Sequence, residues 1–265
     1  MYNVKISEYL ESTEVVLYDI PIHGREKEKD GFIIERDDRE LEIYSYLAFD
    51  SVRSLTDDEK QENALRSYFV SFNRTKNKIY NYARANKWEW FLTITFNPAY
   101  VDSYDYDNVC AFMKWWLNSM NHINKSGKLT YLIVPEKHKS GRYHLHGVFS
   151  NMDMSVWKFK FSGHFTKGGI PIFNIGAFPY GFTTATQVQS TTRVSHYISK
   201  YITKSMFDSI KNKKRYWVTR NASDGIHSTY VMSPSEIEIL LNSFGECQYV
   251  KSVQTPYNEM KYYQF

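Results

Sequence analysis

Between residues 129 and 150 the sequence reads LTYLIVPEKHKSGRYHLHGVFS, and no other stretch narrows the choice of fold so far. Two runs rich in β-branched and aromatic residues flank the short polar segment EKHKSGR, which contains Gly141. So short a link predicts an antiparallel hairpin, because a parallel pair needs a crossover of about a dozen residues or more. Side chains alternate along a strand, so His144 and His146 share one face while Tyr143, Leu145 and Phe149 occupy the other. One face suits a core and the other carries two imidazoles. From spacing alone, a half-exposed strand with coincident histidines and a strand built for chemistry are equally compatible.

The rest of the chain bounds that choice. With 265 residues, 42% of them hydrophobic and 17% aromatic, the chain can bury a full core, as one large domain or one domain with a substantial appendage. The start, MYNVKISEYLESTEVV, lacks a basic stretch followed by an apolar core, and no run of about 18 apolar residues occurs. The expectation is a soluble, non-exported protein with no membrane partner, in a reducing cytoplasm. Cys110 and Cys247 lie far apart outside any CxxC pair, which suggests neither a disulfide scaffold nor a thiolate zinc site.

The net charge of +4 conceals an asymmetry. Residues 1–62 hold 17 acidic and 8 basic side chains, whereas residues 63–265 hold 12 acidic and 25 basic ones. A basic body fits a polyanionic partner, although scattered lysines more often mean a solvated surface. Here the cations cluster, in NRTKNKIYNYARANK with Arg74 and in KNKKRYWVTR with Lys214 and Arg215. Aromatics interleave with both clusters, as stacking on nucleobases would use.

Coarse periodicity gives an α+β chain. Residues 13–50 read as short strands, and 56–86 as one polar helix with Thr56 as N-cap and Glu59 three positions on. FLTITF at 91–96 reads as a strand, 106–123 as an amphipathic helix, and RVSHYISKYITKSMF as another helix. Residues 162–181 give no clear signal. The division expected is an acidic N-terminal extension (1–55), a main domain (56–224) and a C-terminal tail or helix (225–265).

On the last of those helices Tyr197 and Tyr201 stand four apart, as do Lys200 and Lys204, so each pair shares a helix surface. Tyrosines at that spacing usually pack. A phenol can also attack a phosphodiester, given charge neutralisation on the phosphate and help in losing its proton. Glu136, ending the strand that would pair with the histidine strand, adds a carboxylate to the two imidazoles. That three-donor set suits Mg²⁺ or Mn²⁺ at a phosphoryl centre, with His138 in the loop as a weaker rival ligand.

The order FLTITFN, YLIVPEKHKSGRYHLHGVF, YISKYITK resembles the three motifs of HUH endonucleases, the rolling-circle replication initiators of single-stranded DNA phages and plasmids. The chain is most similar there to the phage and plasmid replication-associated (ORF2-like) group, over roughly residues 66–221. The resemblance implies a central antiparallel sheet with flanking helices, the HUH or RRM-like palm, preceded here by a β/α extension. It implies His144, His146 and Glu136 as metal ligands and Tyr197 or Tyr201, with Lys200 and Lys204, as the catalytic group. Thr93, Thr95 and Asn97 of the first motif would contact DNA, along with Arg74, Arg142, Lys214 and Arg215. The implied partners are a single-stranded origin and the host helicase and polymerase in a bacterial cytoplasm, since no GxxxxGK[ST] phosphate loop is present. The implied reaction is nicking with a 5′-phosphotyrosine link and a free 3′-hydroxyl, followed by rejoining. The alternatives are a catalytically silent single-strand-binding protein, or a relaxase or single-strand transposase using the same site.

Overall fold

The computed structural model describes residues 1–23, 28–29, 32–33, 57–201, 210, 213–255 and 258–265. They form two compact units, Met1–Ser71 with Gly225–Phe265, and Phe72–Asp224.

In the first unit, β1 (Tyr2–Glu8) and β2 (Thr13–Ile22) pair with each other and with strands from the far end of the chain. Those are β12 (Ile226–Tyr230), β13 (Tyr249–Gln254) and β14 (Glu259–Gln264), and the sheet runs β12-β1-β2-β14-β13. Helix α5 (Pro234–Ser243) starts at a capping box, with the Ser233 and Glu236 side chains each bonding the other's backbone N–H. Its Ile237, Leu240 and Leu241 pack on Val4, Ile6 and Val15. The two-residue strands β3 (Glu28–Lys29) and β4 (Phe32–Ile33) pair separately. The C-terminal segment expected as a tail or helix is thus one helix plus three strands, in the same sheet as the N-terminal strands. The stretch 34–56, including the Thr56 cap, lies outside the described residues.

The second unit is built on a seven-stranded antiparallel sheet in the order β11-β6-β7-β5-β10-β9-β8. Its strands are β5 (Trp90–Phe96), β6 (Thr130–Lys137), β7 (Tyr143–Ser150), β8 (Phe159–Phe165), β9 (Pro171–Ile175), β10 (Gly181–Gln187) and β11 (Trp217–Val218). The expected hairpin is β6–β7: His138 N–H donates to the Arg142 carbonyl and Gly141 N–H to that of His138, both at 2.8 Å. Gly141 has φ +86°, a left-handed conformation that favours glycine. Residues 162–181, without clear periodicity, supply most of β8 and β9.

In β5, Trp90, Leu92, Ile94 and Phe96 are buried and the residues between them are half-buried. Helix α2 (Tyr106–Ile123), capped by Asp105 bonding Asp107 N–H, buries Tyr106, Val109, Met113, Trp116, Leu117 and Met120, a stripe at helical spacing. Tyr106 meets Tyr143 on β7 at 4.8 Å between ring centroids. The short helix α3 (Met154–Trp157) adds the fully buried Trp157, 5.4 Å from Trp116 and 5.9 Å from Phe149. Burying each such side chain contributes about 1.5–3 kcal/mol. Helix α1 (Asp57–Ala85) presents Phe72, Ile79 and Ala83 to this core, while Arg74, Lys76 and Asn77 stay exposed. Helix α4 (Thr191–Ser199) starts at the Ser190 cap and ends at Ser199, and the part of the expected helix beyond Tyr201 lies outside the described residues. Lys200 is its C-cap and Tyr201 a turn residue. Among the described residues no helix is long and apolar enough to cross a membrane.

Candidate active site

The sheet register decides what the two histidines touch. Thr93 lies opposite His146 and Thr95 opposite His144, while Glu136 lies opposite His144 from the other side. The Thr93 hydroxyl is 3.1 Å from His146 Nδ1 and the Thr95 hydroxyl 3.2 Å from His144 Nδ1. Glu136 reaches diagonally, with Oε2 at 2.7 Å from His146 Nε2.

The contact between His146 and Glu136 has the geometry of an ion pair, yet burial holds the imidazole below its ordinary pKa and outweighs the carboxylate. The His146 side chain is 8% exposed and Glu136 37%, so most of the desolvation falls on the ring. A neutral His146 donates Nε2–H to Glu136 and accepts the Thr93 hydroxyl at Nδ1. His144 is also held low, first by burial and then by its neighbour His138, whose ring stacks on it at 5.2 Å.

Tyr201 lies flat on His146, with ring centroids 3.6 Å apart and planes 10° from parallel. Tyr197 meets Tyr201 edge-on at 5.3 Å and Phe91 at 5.2 Å, so both phenols stand over the same face of β5 and β7. Their environments differ. Burial, a hydrogen bond to Tyr197 and the Glu136 charge hold the Tyr201 phenol protonated far above the ordinary tyrosine range. Tyr197 is 46% exposed.

Two neutral imidazoles and a carboxylate are donors that Mg²⁺ or Mn²⁺ accepts. The threonines fit that role, because a hydroxyl can accept from Nδ1–H as readily as donate to Nδ1 and so leave Nε2 unprotonated for a cation. As they stand, Glu136 and His146 bond each other instead of diverging around a common centre. Among the described residues no group of three or more His, Cys, Asp and Glu side chains is poised to hold a metal ion. Recruiting Glu136 requires its half-exposed carboxylate to turn off His146.

The other expected site residues are spread more widely. Asn97 Oδ1 accepts the Ala99 N–H at 3.0 Å and shapes the turn after β5. The Arg142 guanidinium lies over Tyr104 at 5.1 Å, at the hairpin end of β7. Lys214 lies over Trp217 at 5.9 Å, and Arg215 donates to the Thr75 hydroxyl on α1 at 3.2 Å. Arg74 is exposed on α1. Lys200 lines a cleft toward α1, and Lys204 lies outside the described residues. Sequence reasoning missed Phe91 as the support of Tyr197 and the threonines as partners of the histidines. The alternation of Thr93 and Thr95 opposite that of His144 and His146 carried the second signal, but only the register reveals it.

Hairpin, threonine pair and tyrosine helix all fall inside one matched segment. Residues 89–206 match the Replication-associated protein ORF2 family. The match begins just before β5, takes in both histidines and both tyrosines, and is consistent with a replication initiator. No curated protein and no solved structure matches the chain.

Proposed function

We propose that the matched replication-associated segment is a rolling-circle initiator that nicks a single-stranded DNA origin through a tyrosine and later rejoins the strand. The observation that carries this reading is the pair of phenols over the histidine pair, Tyr201 stacked at 3.6 Å on His146 and Tyr197 beside it. His144, His146 and Glu136 would hold Mg²⁺ or Mn²⁺, which when bound supplies positive charge to the scissile phosphate.

The chain's own groups divide the remaining work. Thr93 and Thr95 fix the imidazoles in orientation. Tyr197, exposed and supported by Phe91, is the first nucleophile; its oxygen forms the bond to phosphorus as the bond to the 3′-oxygen breaks. The phenolic proton is released as that bond forms, and the departing 3′-oxygen takes one up and becomes the primer hydroxyl. Tyr201, held protonated and edge-on to Tyr197 at 5.3 Å, would stabilise the developing phenolate and serve in the second transfer. A second reading, a sheet that binds single strands without cutting them, draws on the bond between Glu136 and His146, which leaves the ligand set closed. A relaxase or single-strand transposase would use the same site.

One experiment separates these readings. The protein is incubated with Mn²⁺ and a library of single-stranded oligonucleotides, and covalent adducts are mapped by mass spectrometry. The expected result is a DNA 5′-phosphate on Tyr197, at least tenfold less adduct in Tyr197→Phe, and none in the double phenylalanine variant. Tyr201→Phe should keep the first adduct and lose strand rejoining. Cleavage undiminished in EDTA, or an adduct that survives the double variant, overturns the mechanism; binding without any adduct favours the second reading.

A further inference from the structure

Beside the tyrosine helix a cleft of about 350 Å³ opens between α1 and α4. Lys76, Asn77 and Tyr80 line it from α1, and His196, Ser199 and Lys200 from α4. Among the described residues the lining holds two ammonium groups, an imidazole, a phenol, an amide and a hydroxyl, and no carboxylate. Such a set is donor-rich and cationic, which is the chemistry of an anion site.

The charges are also uncommitted. Elsewhere in this unit two lysines are matched with carboxylates, Lys78 with Asp224 and Lys213 with Asp107 at 2.6 Å. Among the described residues neither Lys76 nor Lys200 has an ion-pair partner. Lys78, two positions along the same helix from Lys76, shows that α1 can place a lysine against an acid. Behind the lining lies a further cation: the Arg84 guanidinium, 2% exposed, donates to the Tyr80 hydroxyl. The Tyr80 and His196 rings stand 5.7 Å apart at 50°, forming an angled aromatic wall in the cleft. The cleft volume falls in the range of small-ligand sites.

We propose that this cleft binds one nucleotide unit, its phosphate between Lys76 and Lys200 and its sugar or base against Tyr80 and His196. The proposal rests on the reading of the segment as a single-stranded DNA enzyme. His196 and Tyr197 are adjacent in sequence, His196 against Tyr80 on α1 and Tyr197 against Phe91 on β5, so a strand seated in the cleft is held one residue from the proposed nucleophile. The nucleotide chemistry could come from the DNA strand itself or from a free nucleotide.

The test uses the full chain in EDTA, where binding is read without cleavage, so a failure of the nicking mechanism leaves it interpretable. A fluorescent oligothymidine of about 30 nucleotides reports strand binding by anisotropy across a salt series, and unlabelled thymidine monophosphate is titrated separately by calorimetry. Lys76→Ala should weaken strand binding about three- to tenfold near 100 mM salt and lower the salt slope by about one contact. Lys76→Glu should weaken it further, while Lys78→Ala should leave slope and affinity near wild type. Melting curves keep a folding defect separate, and Asn77→Asp, which puts an acid into the cleft, provides a second variant. If strand binding is unchanged in Lys76→Glu but the monophosphate binds wild type and not the variant, the site takes a free nucleotide. Unchanged binding of both probes in Lys76→Glu and Asn77→Asp overturns the proposal, as does an effect of Lys78→Ala equal to that of Lys76→Ala.

Discussion

Thr93→Val tests the geometry of the site most directly, because it removes one hydroxyl and keeps the shape of the side chain. In the native protein that hydroxyl satisfies Nδ1 of His146, whose side chain is 8% exposed. After substitution the ring nitrogen is buried without a partner, and an unmet buried acceptor costs about 1–3 kcal/mol. Thr93 itself is half-buried, which favours the lower part of that range, about 1–2 kcal/mol, equivalent to ~2–8 °C in melting temperature for a domain of this size. Thr95→Val removes the same group from His144, which is more exposed, so water can take its place and the cost should stay within about 0.5 kcal/mol. Melting and equilibrium denaturation in EDTA report this difference without a metal. Because the hydroxyl also orients a proposed ligand, Mn²⁺ affinity should fall about 10–100-fold in Thr93→Val and recover in Thr93→Ser. Equal stability of the two valine variants, or unchanged Mn²⁺ affinity in Thr93→Val, would refute the assignment of Thr93 as the residue that positions His146.

Two further outcomes follow from packing. Gly147→Ala places a methyl group 2.7 Å from Phe149 Cε2 and 2.9 Å from Ile133 Cγ1 in the sheet core, so it should destabilise by about 1–3 kcal/mol in denaturant titrations, and no loss would show that the strands give way freely. Deleting residues 1–23 removes β1 and β2, leaving β12 without its partner and β14 paired with β13 alone, so the truncated chain should aggregate or lose the unfolding transition of that sheet instead of behaving as a trimmed but intact protein.

What the sequence disclosed, and what it withheld, follows from how far each signal reaches along the chain. FLTITF and YHLHGVFS state their own period, and each became a strand with the expected faces. The helix 106–123 was equally legible, since six apolar side chains at helical spacing leave one way to bury them. The five-stranded sheet was not, because β1 pairs with β12 across a separation of more than 200 residues and no local pattern encodes that partner. A four-residue spacing makes Tyr197 and Tyr201 look equivalent. The helix instead ends at Ser199, and stacking on His146 gives Tyr201 a surrounding that Tyr197 lacks.

The site itself shows why alternation alone could not have specified it. Period two says that Thr93 and Thr95 share a face and that His144 and His146 share a face, and it would say the same after a slip of two residues between β5 and β7. In the native register Thr93 meets His146 and Thr95 meets His144. Slipped by two, His146 would meet Thr95 and His144 would fall opposite Asn97, beyond the end of β5, in a turn that Asn97 holds with its own side chain. Every residue would keep its face, and one histidine would lose its orienting hydroxyl. Beyond Asn97 the backbone continues the constraint: Asn97 N–H donates to the Tyr180 carbonyl, and Gly181, opposite Phe96, lies where a Cβ would collide with the Thr95 carbonyl. The close approach of β10 to the end of β5 thus helps to fix where β5 stops, and with it which threonine stands behind which histidine.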